Sequence, residues 1–292
     1  MGVLRRGAQF RLLVPQSLMG ERSILITGCS SGIGLASARE MKARGWRVFA
    51  TARKPDDIAR LKAEDFESLY LDYAEPQSIA AAAEHVLNAT DAKLGALFNN
   101  GAYGQPGAVE DIRPDVMRAQ FEANVFGWHD LTCRIIPAMR KQGKGRLVFC
   151  SSVLGFVSAP YRGAYCATKY AVEALADALR MELVASGIKV VLIEPGPIAT
   201  RFLEHALDAY RRNVDLEASP HRDIYRARIA RLEEGGTQTF KLGPEAVALK
   251  LAHALESRNP KRRYYVTVPT YVAAFFRRVL PAAALDAVAA QN

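Results

Sequence analysis

The sequence predicts an α/β protein, a single doubly wound parallel sheet of about seven strands with helices on both faces. Three observations carry this reading. β-prone runs alternate with helix-periodic segments, and strands are expected at 23–27, 46–51, 67–71, 95–98, 145–150, 188–194 and 263–267. Gly45, Gly95, Gly145 and Gly187 stand at the helix-to-strand passages, where C-cap and turn glycines belong. The first strand runs directly into a three-glycine turn that opens a helix. With 292 residues the chain is long enough for one large core, and it shows no internal repeat, low-complexity linker or second domain.

The first element is the run Ile24-Leu25-Ile26, followed by Thr27-Gly28-Cys29-Ser30-Ser31-Gly32-Ile33-Gly34 and the helical stretch Leu35 to Met41. Strand, glycine turn and helix together open a dinucleotide-binding βαβ unit. Gly28 permits the tight turn. Gly32 and Gly34 let the backbone approach a pyrophosphate, and Ile33 lies between them at the helix start. The helix N-terminus adds N–H donors and positive dipole, and Ser30 and Ser31 add hydroxyls.

The second strand decides the cofactor. A unit that binds NAD carries Asp or Glu at the end of this strand to hold the ribose 2′-hydroxyl. Here Arg53 and Lys54 stand there, and the first acids, Asp56 and Asp57, follow Pro55 as a helix start. A guanidinium pairs with a 2′-phosphate that a carboxylate would repel. NADP(H) is therefore preferred over NAD(H).

The later elements carry the chemistry. Tyr165 and Lys169 are one helical turn apart and share a face. An ammonium beside a phenol stabilises the phenolate, so the spacing predicts a Tyr165 pKa lowered from about 10 and a proton exchanged with a carbonyl or alcohol. Ser152 can anchor the same oxygen. Ser151 is its rival, and strand alternation points the two to opposite faces.

These pieces resemble the short-chain dehydrogenase/reductase family over about residues 22 to 270. Within it the chain looks most like the retinol, 17-beta-hydroxysteroid dehydrogenase and aldehyde reductase branch. The matching motifs, in the family's order, start with the glycine loop, Asp72, and Asn99-Asn100-Gly101-Ala102. Asn124, the Ser-Tyr-Lys set and Pro195-Gly196-Pro197-Ile198-Ala199-Thr200 complete them. The resemblance implies a Rossmann-type fold and a catalytic tetrad. In it Asn124 holds a water, Ser152 binds the substrate oxygen, Tyr165 is the general acid/base and Lys169 bonds the nicotinamide ribose. The thirteen positions from Ser152 to Tyr165 fit the family pattern. It further implies that Asp72, Asn99, Gly101, Pro195, Gly196, Ile198 and Thr200 line the cofactor site. No metal is needed, because Ser and Tyr stabilise the oxyanion.

Between Thr200 and Gly243 the spacing suits two amphipathic helices joined near Pro220. In the family this segment closes over substrate. Phe202, with Leu203, Leu207, Tyr210, Ile224, Tyr225, Ile229, Phe156 and Tyr103, then suggests a lipophilic carbonyl or alcohol. The activity expected is hydride transfer between NADP(H) and such a substrate. The alternatives are an NAD-linked secondary-alcohol dehydrogenase or a catalytically silent nucleotide sensor.

Composition sets the remaining expectations. The net charge of +9 gathers near the ends, at Arg5, Arg6, Arg11, Lys261, Arg262, Arg263, Arg277 and Arg278. No nucleic-acid motif accompanies it, so solvated surface is the reading. Residues 1–20 are expected to be a disordered leader or a mis-assigned start, 21–270 the catalytic domain, and 271–292 a helical tail. Tyr271 to Val279 either covers the substrate pocket or makes the less favoured peripheral membrane contact. Cys29, Cys133, Cys150 and Cys166 form no CxxC pair, which argues against zinc and suits a reducing cytoplasm. The helix of Tyr165 and Lys169 has apolar residues on more than one face. The family packs this helix in its dimers and tetramers, so a homodimer or homotetramer is expected.

Overall fold

A computed structural model describes residues 22–234 and 239–290. The expectation for residues 1–20 lies outside the described residues. Seven parallel strands form one sheet: β1 (Ser23–Ile26), β2 (Arg47–Ala52), β3 (Glu67–Tyr70), β4 (Ala96–Asn99), β5 (Gly145–Cys150), β6 (Ile188–Glu194) and β7 (Arg263–Tyr265). Their order is β3-β2-β1-β4-β5-β6-β7. The chain runs outward from β1 to one edge, crosses back to β4, and runs to the other edge. That reversal leaves a crevice at the carboxyl ends of β1 and β4, where such sheets bind ligands.

The central strands β1, β4, β5 and most of β2 and β6 are apolar because both faces are covered, whereas edge strand β3 is exposed at Glu67 and Tyr70. Ile24, Leu25, Ile26, Phe49 and Phe98 are fully buried, each stabilising the fold by about 1.5–3 kcal/mol. Helices α1 (Gly32–Ala43), α2 (Pro55–Ala63), α3 (Pro76–Ala89), α4 (Pro114–Phe121), α5 (Gly127–Lys141) and α6 (Gly163–Glu182) follow their strands in turn. Between α4 and α5 lies a π-helical bulge, Glu122–Phe126. Such bulges re-aim side chains and favour functional sites.

Two helices lie between residues 200 and 243, α7 (Phe202–Asn213) and α8 (Arg222–Glu233), separated by the turn that holds Pro220. A small second core of Ala108, Ile112, Val116, Ala164, Tyr210, Val214 and Tyr225 fastens them to the body. The Tyr225 hydroxyl donates to Asp111 and accepts from the Ala108 N–H at 2.8 Å. Backbone bonds from Ala199 N to Leu242 O (2.8 Å) and Leu242 N to Pro197 O (3.2 Å) tie the far end of the segment back to its beginning. Helices α9 (Glu245–Glu256), α10 (Val268–Val279) and α11 (Ala282–Ala290) complete the described chain. Among the described residues no helix is long and apolar enough to cross a membrane.

Candidate active site

The crevice is a cavity of about 760 Å³. At one end lies the glycine turn. Gly28 adopts φ +70° and approaches Gly101 so closely that a Cβ on it would stand 2.6 Å from the Gly101 Cα. A Cβ on Gly32 would meet the Thr200 methyl at 2.9 Å. The N-cap of α1 is Ser31, whose side chain makes no capping bond. The first-turn N–H groups of α1 therefore have neither an intrahelical partner nor a side-chain cap. Gly32 and Ile33 of that turn line the cavity, as do Gly28, Ser30, Ser31, Asp72, Gly101, Pro195, Gly196, Ile198 and Thr200. An uncapped helix start beside backbone that tolerates no side chain is a cradle for a pyrophosphate, so a dinucleotide fits the residues present.

Arg53, one residue past β2, opens on the same cavity. Its side chain is 64% exposed, and one Nη lies 3.7 Å from an Asp72 oxygen. The other Asp72 oxygen accepts the Ala74 N–H at 3.0 Å. A guanidinium this exposed is free to pair with an anion.

Asn99 differs from expectation. It is fully buried and off the cavity wall, its amide bonded to the Tyr73 hydroxyl at 2.8 Å and to Thr132 at 3.0 Å. The wall residue is Asn100, which donates to the Thr27 carbonyl at 2.9 Å. Beneath the floor, Thr27 Oγ1 accepts from the N–H groups of Asn100 (2.9 Å) and Gly101 (3.1 Å) and from the Tyr73 hydroxyl (2.9 Å). This network of Thr27, Tyr73 and Asn99 holds the carboxyl ends of β1 and β4 in register. The sequence signal for it was the polar pair Thr27 and Asn99 closing two apolar strands.

Midway along the cavity stand Ser152, Tyr165 and Lys169. Ser152 follows β5, and its Oγ accepts the Leu154 N–H at 3.1 Å. Ser151 also lines the cavity but is buried, with its Oγ on the Gly155 and Glu173 side. Lys169 is 2% exposed. Its ammonium donates to the Cys150 carbonyl at 2.8 Å, and lies 4.4 Å from the Trp128 ring centroid and 5.6 Å from that of Tyr165. Burial pushes its pKa down to about 8, against the opposing pull of Cys150 and Glu173.

The expected lowering of the Tyr165 pKa is not what the structure shows. Burial dominates and pushes the phenol well above its ordinary value, the neighbouring Ser152 and Arg162 pulling it only partly back. Asn124 does not itself line the cavity. It is fully buried behind the wall, where its amide donates to the Tyr103 carbonyl (2.8 Å) and its oxygen accepts the Tyr103 N–H (3.2 Å). The π bulge thus spends Asn124 on clamping the Tyr103 loop.

The far end of the cavity is formed by α7 and α8. Phe202, Leu203, Tyr210, Ile224 and Tyr103 line it, whereas Leu207, Phe156, Tyr225 and Ile229 do not. Tyr225 and Ile229 belong to the second core, and Phe156 packs on Tyr265 with ring centroids 5.9 Å apart. The Phe202 ring lies 5.4 Å from that of Tyr165. Gly104 makes room for it, since a Cβ there would stand 2.7 Å from the Phe202 ring. Ala290, near the end of α11, also reaches the cavity wall. Burial pushes Cys150 up to about 11 and Cys29 up to about 12, so neither is a thiolate nucleophile. Among the described residues no group of His, Cys, Asp or Glu could hold a metal ion.

Known proteins agree with this geometry. Residues 22–211 match the family described as short chain dehydrogenase. The chain is 46% identical over 268 residues to the uncharacterized oxidoreductase YbbO of Escherichia coli (strain K12), covering 92% of this chain and 94% of that one. It is 34% identical to retinol dehydrogenase 16 of Homo sapiens, over 85% and 81% of the two chains. Its fold superposes on a short-chain dehydrogenase from Streptomyces avermitilis with a TM-score of 0.74, at 29% identity over 91% of this chain and 93% of that one. The chain belongs to the short-chain dehydrogenases, oxidoreductases that work with a nucleotide cofactor.

Proposed function

We propose that the protein is an NADP(H)-dependent carbonyl reductase, reversible as an alcohol dehydrogenase, for lipophilic aldehydes, ketones or the corresponding alcohols. The observation that carries this is one continuous cavity. It joins the uncapped start of α1 to Ser152, Tyr165 and Lys169, and those to the apolar walls of α7 and α8. When bound, the nicotinamide supplies the hydride that reaches the carbonyl carbon.

The chain's own residues do the rest. Ser152 donates a hydrogen bond to the substrate oxygen. Tyr165 gives its phenolic proton as the alkoxide develops, a step worth about 10²–10⁴ in rate. With its pKa held up by burial, Tyr165 carries that proton at neutral pH, which is the form that reduction consumes. Lys169 brings an ammonium to the same cavity, 5.6 Å from the Tyr165 ring centroid, as the reserve of the proton that Tyr165 gives up, and Asn124 holds the Tyr103 loop that forms the facing wall.

The choice of NADP(H) rests on Arg53 opposite a single carboxylate. The name of a 32% identical relative, an NADPH-dependent 3-dehydrocapnine reductase of Ornithobacterium rhinotracheale, agrees with it. Exposed Leu175 and Met181 on α6 and Phe126 in the π bulge support a homodimer or homotetramer, and free thiols suit the cytoplasm.

The test is paired. Tyr165→Phe should bind NADPH normally and lose most turnover across a panel of retinaldehydes, ketosteroids and medium-chain aldehydes. Substantial residual turnover rejects the assigned role, and no turnover by the wild type makes the protein a nucleotide sensor. Arg53→Asp should weaken NADPH binding by about 10- to 100-fold, as loss of a charge-assisted bond implies. An unchanged ratio of NADPH to NADH affinity would reject NADP preference.

A further inference from the structure

The apolar end of the cavity also carries cations. Along α8, residues Ile224, Ala227, Arg228 and Arg231 line it. Their spacing of i, i+3, i+4 and i+7 defines one helical face, and that face borders the cavity while Ile224, Ala227 and Arg231 stay open to solvent. On the outer side of the same helix, Arg222 and Arg226 pair with Glu217 and Asp223 in the ordinary solvated manner. Arg228 does otherwise. Its guanidinium carbon lies 4.5 Å from the Tyr161 ring centroid, over a ring that itself lines the cavity. Arg162, at the start of α6, joins it from the opposite element.

Among the described residues no carboxylate pairs with Arg162 or Arg228. Asp72 is the one carboxylate on the described cavity wall, and it belongs to the glycine-turn end beside Arg53. Burial and the charges of Arg228 and Arg231 push the Arg162 pKa down. Arg162, Arg228 and Arg231 thus bring like charges to one stretch of the cavity wall, where Arg162 and Arg231 also meet solvent. Long cationic side chains ordinarily turn their heads to water. Cations held together facing an apolar cavity form an anion site, because an arriving anion relieves the repulsion and gains charge-assisted hydrogen bonds. The site adjoins the chemistry, since Arg162 is three residues from Tyr165 and its charge acts on the phenol.

We propose that the substrate is an anionic amphiphile: a carbonyl on a lipophilic chain whose carboxylate, or a group of like charge, seats against Arg162 and Arg228. This rests on the carbonyl-reductase reading and narrows it. Phe202, Leu203 and Ile224 take the chain, the guanidinium pair takes the charge, and Tyr165 and Ser152 take the carbonyl oxygen. Neutral carbonyls fit the same walls and leave the arginines unsatisfied.

The experiment uses the full chain with NADPH, a series of ω-oxo fatty acids, and the methyl ester of each. The wild type should favour the acid in kcat/KM at the best chain length. Arg228→Gln should lower the acid-to-ester ratio by about 10- to 100-fold, with Arg228→Lys retaining part of it. The ratio is read within one sample, so a partly folded variant does not distort it. A second measurement is calorimetric binding of dodecanoate to the NADPH-loaded protein, expected to weaken at least about tenfold in Arg228→Gln. Equal use of acid and ester, or dodecanoate binding indifferent to Arg228→Gln, overturns the anion site and leaves the reductase reading standing. Dodecanoate binding that depends on Arg228, with no acid or ester reduced, supports the anion site and overturns the reductase reading.

Discussion

Gly34→Ala tests the cofactor cradle with a sign that helix propensity alone gets wrong. Gly34 is the third residue of α1, and inside a helix Ala is favoured over Gly by about 1 kcal/mol. On that basis the substitution should stabilise the protein. The structure says the reverse. A Cβ on Gly34 would stand 2.2 Å from the Gly28 carbonyl oxygen, 2.7 Å from its carbon and 2.8 Å from the Asn100 amide nitrogen. An ordinary carbon-to-oxygen approach is about 3.3 Å, so helix and turn must part by roughly 1 Å. The obstructing atoms are backbone and a side chain held on backbone, neither of which can swing aside. Forcing a methyl into such a contact costs about 1–3 kcal/mol, which outweighs the propensity gain. A 2.2 Å approach calls for the upper end of that range, so the net expectation is a loss of up to about 2 kcal/mol, or several degrees in Tm for a chain of this size. Because the displaced atoms are the cradle itself, NADPH affinity should fall by more than the stability does. Thermal unfolding and an NADPH titration followed by tryptophan-to-nicotinamide energy transfer read the two effects. A Tm at or above wild type together with unchanged NADPH affinity would refute the argument.

Two further outcomes are expected. Lys169 titrates near pH 8 because burial disfavours its charge. In the free protein kcat/KM for reduction should therefore decline as pH rises through about 8, and Lys169→Arg, which stays charged, should move that decline upward. A profile limb unmoved by Lys169→Arg would assign the titration elsewhere. Glu194 is fully buried, and burial with the nearby Glu173 pushes its carboxyl from 4.5 up to about 8. Between those values the folded state holds a proton that the unfolded chain has released, so this group's contribution to stability falls as pH rises. Glu194→Gln can still accept from Arg263, which lies 2.5 Å from the carboxylate. It should narrow the difference in Tm between pH 5 and pH 8.5, and a difference as wide as that of the wild type would contradict the assignment.

The sheet was legible because parallel strands buried on both faces must be apolar runs, and glycines mark where helices hand back to strands. Expected and observed strands agree to within about two residues at their ends. The glycine turn was legible for the same local reason. What local pattern misses is the destination of a side chain. Asn99 and Asn100 are neighbours of one type, yet Asn99 turns down to Tyr73 and Thr132 while Asn100 faces the cavity. Only the partners across β1 and α5 decide that. Asn124 sits in a π bulge that no period reveals. On α8 the apolar residues Tyr225 and Ile229 drew attention as substrate contacts, but they pack into the second core and leave the wall to Ile224 and Arg228.

Tyr165 and Lys169 share a helix face on the cavity wall, but one turn of helix says nothing about desolvation, and the expected lowering of the phenol rested on spacing alone. In the folded protein burial penalises the charged form of each, raising the phenol and weakening the ammonium. The order of proton affinities follows. In the proposed reduction, once Tyr165 has given its proton to the alkoxide, its phenolate binds a proton more tightly than the Lys169 amine, so a proton passes from lysine to tyrosine. The 5.6 Å from the ammonium to the Tyr165 ring centroid, with the ammonium donating to the Cys150 carbonyl, requires a bridging hydroxyl for that transfer. In that reduction the raised Tyr165 phenol supplies its proton and the weakened Lys169 ammonium replaces it.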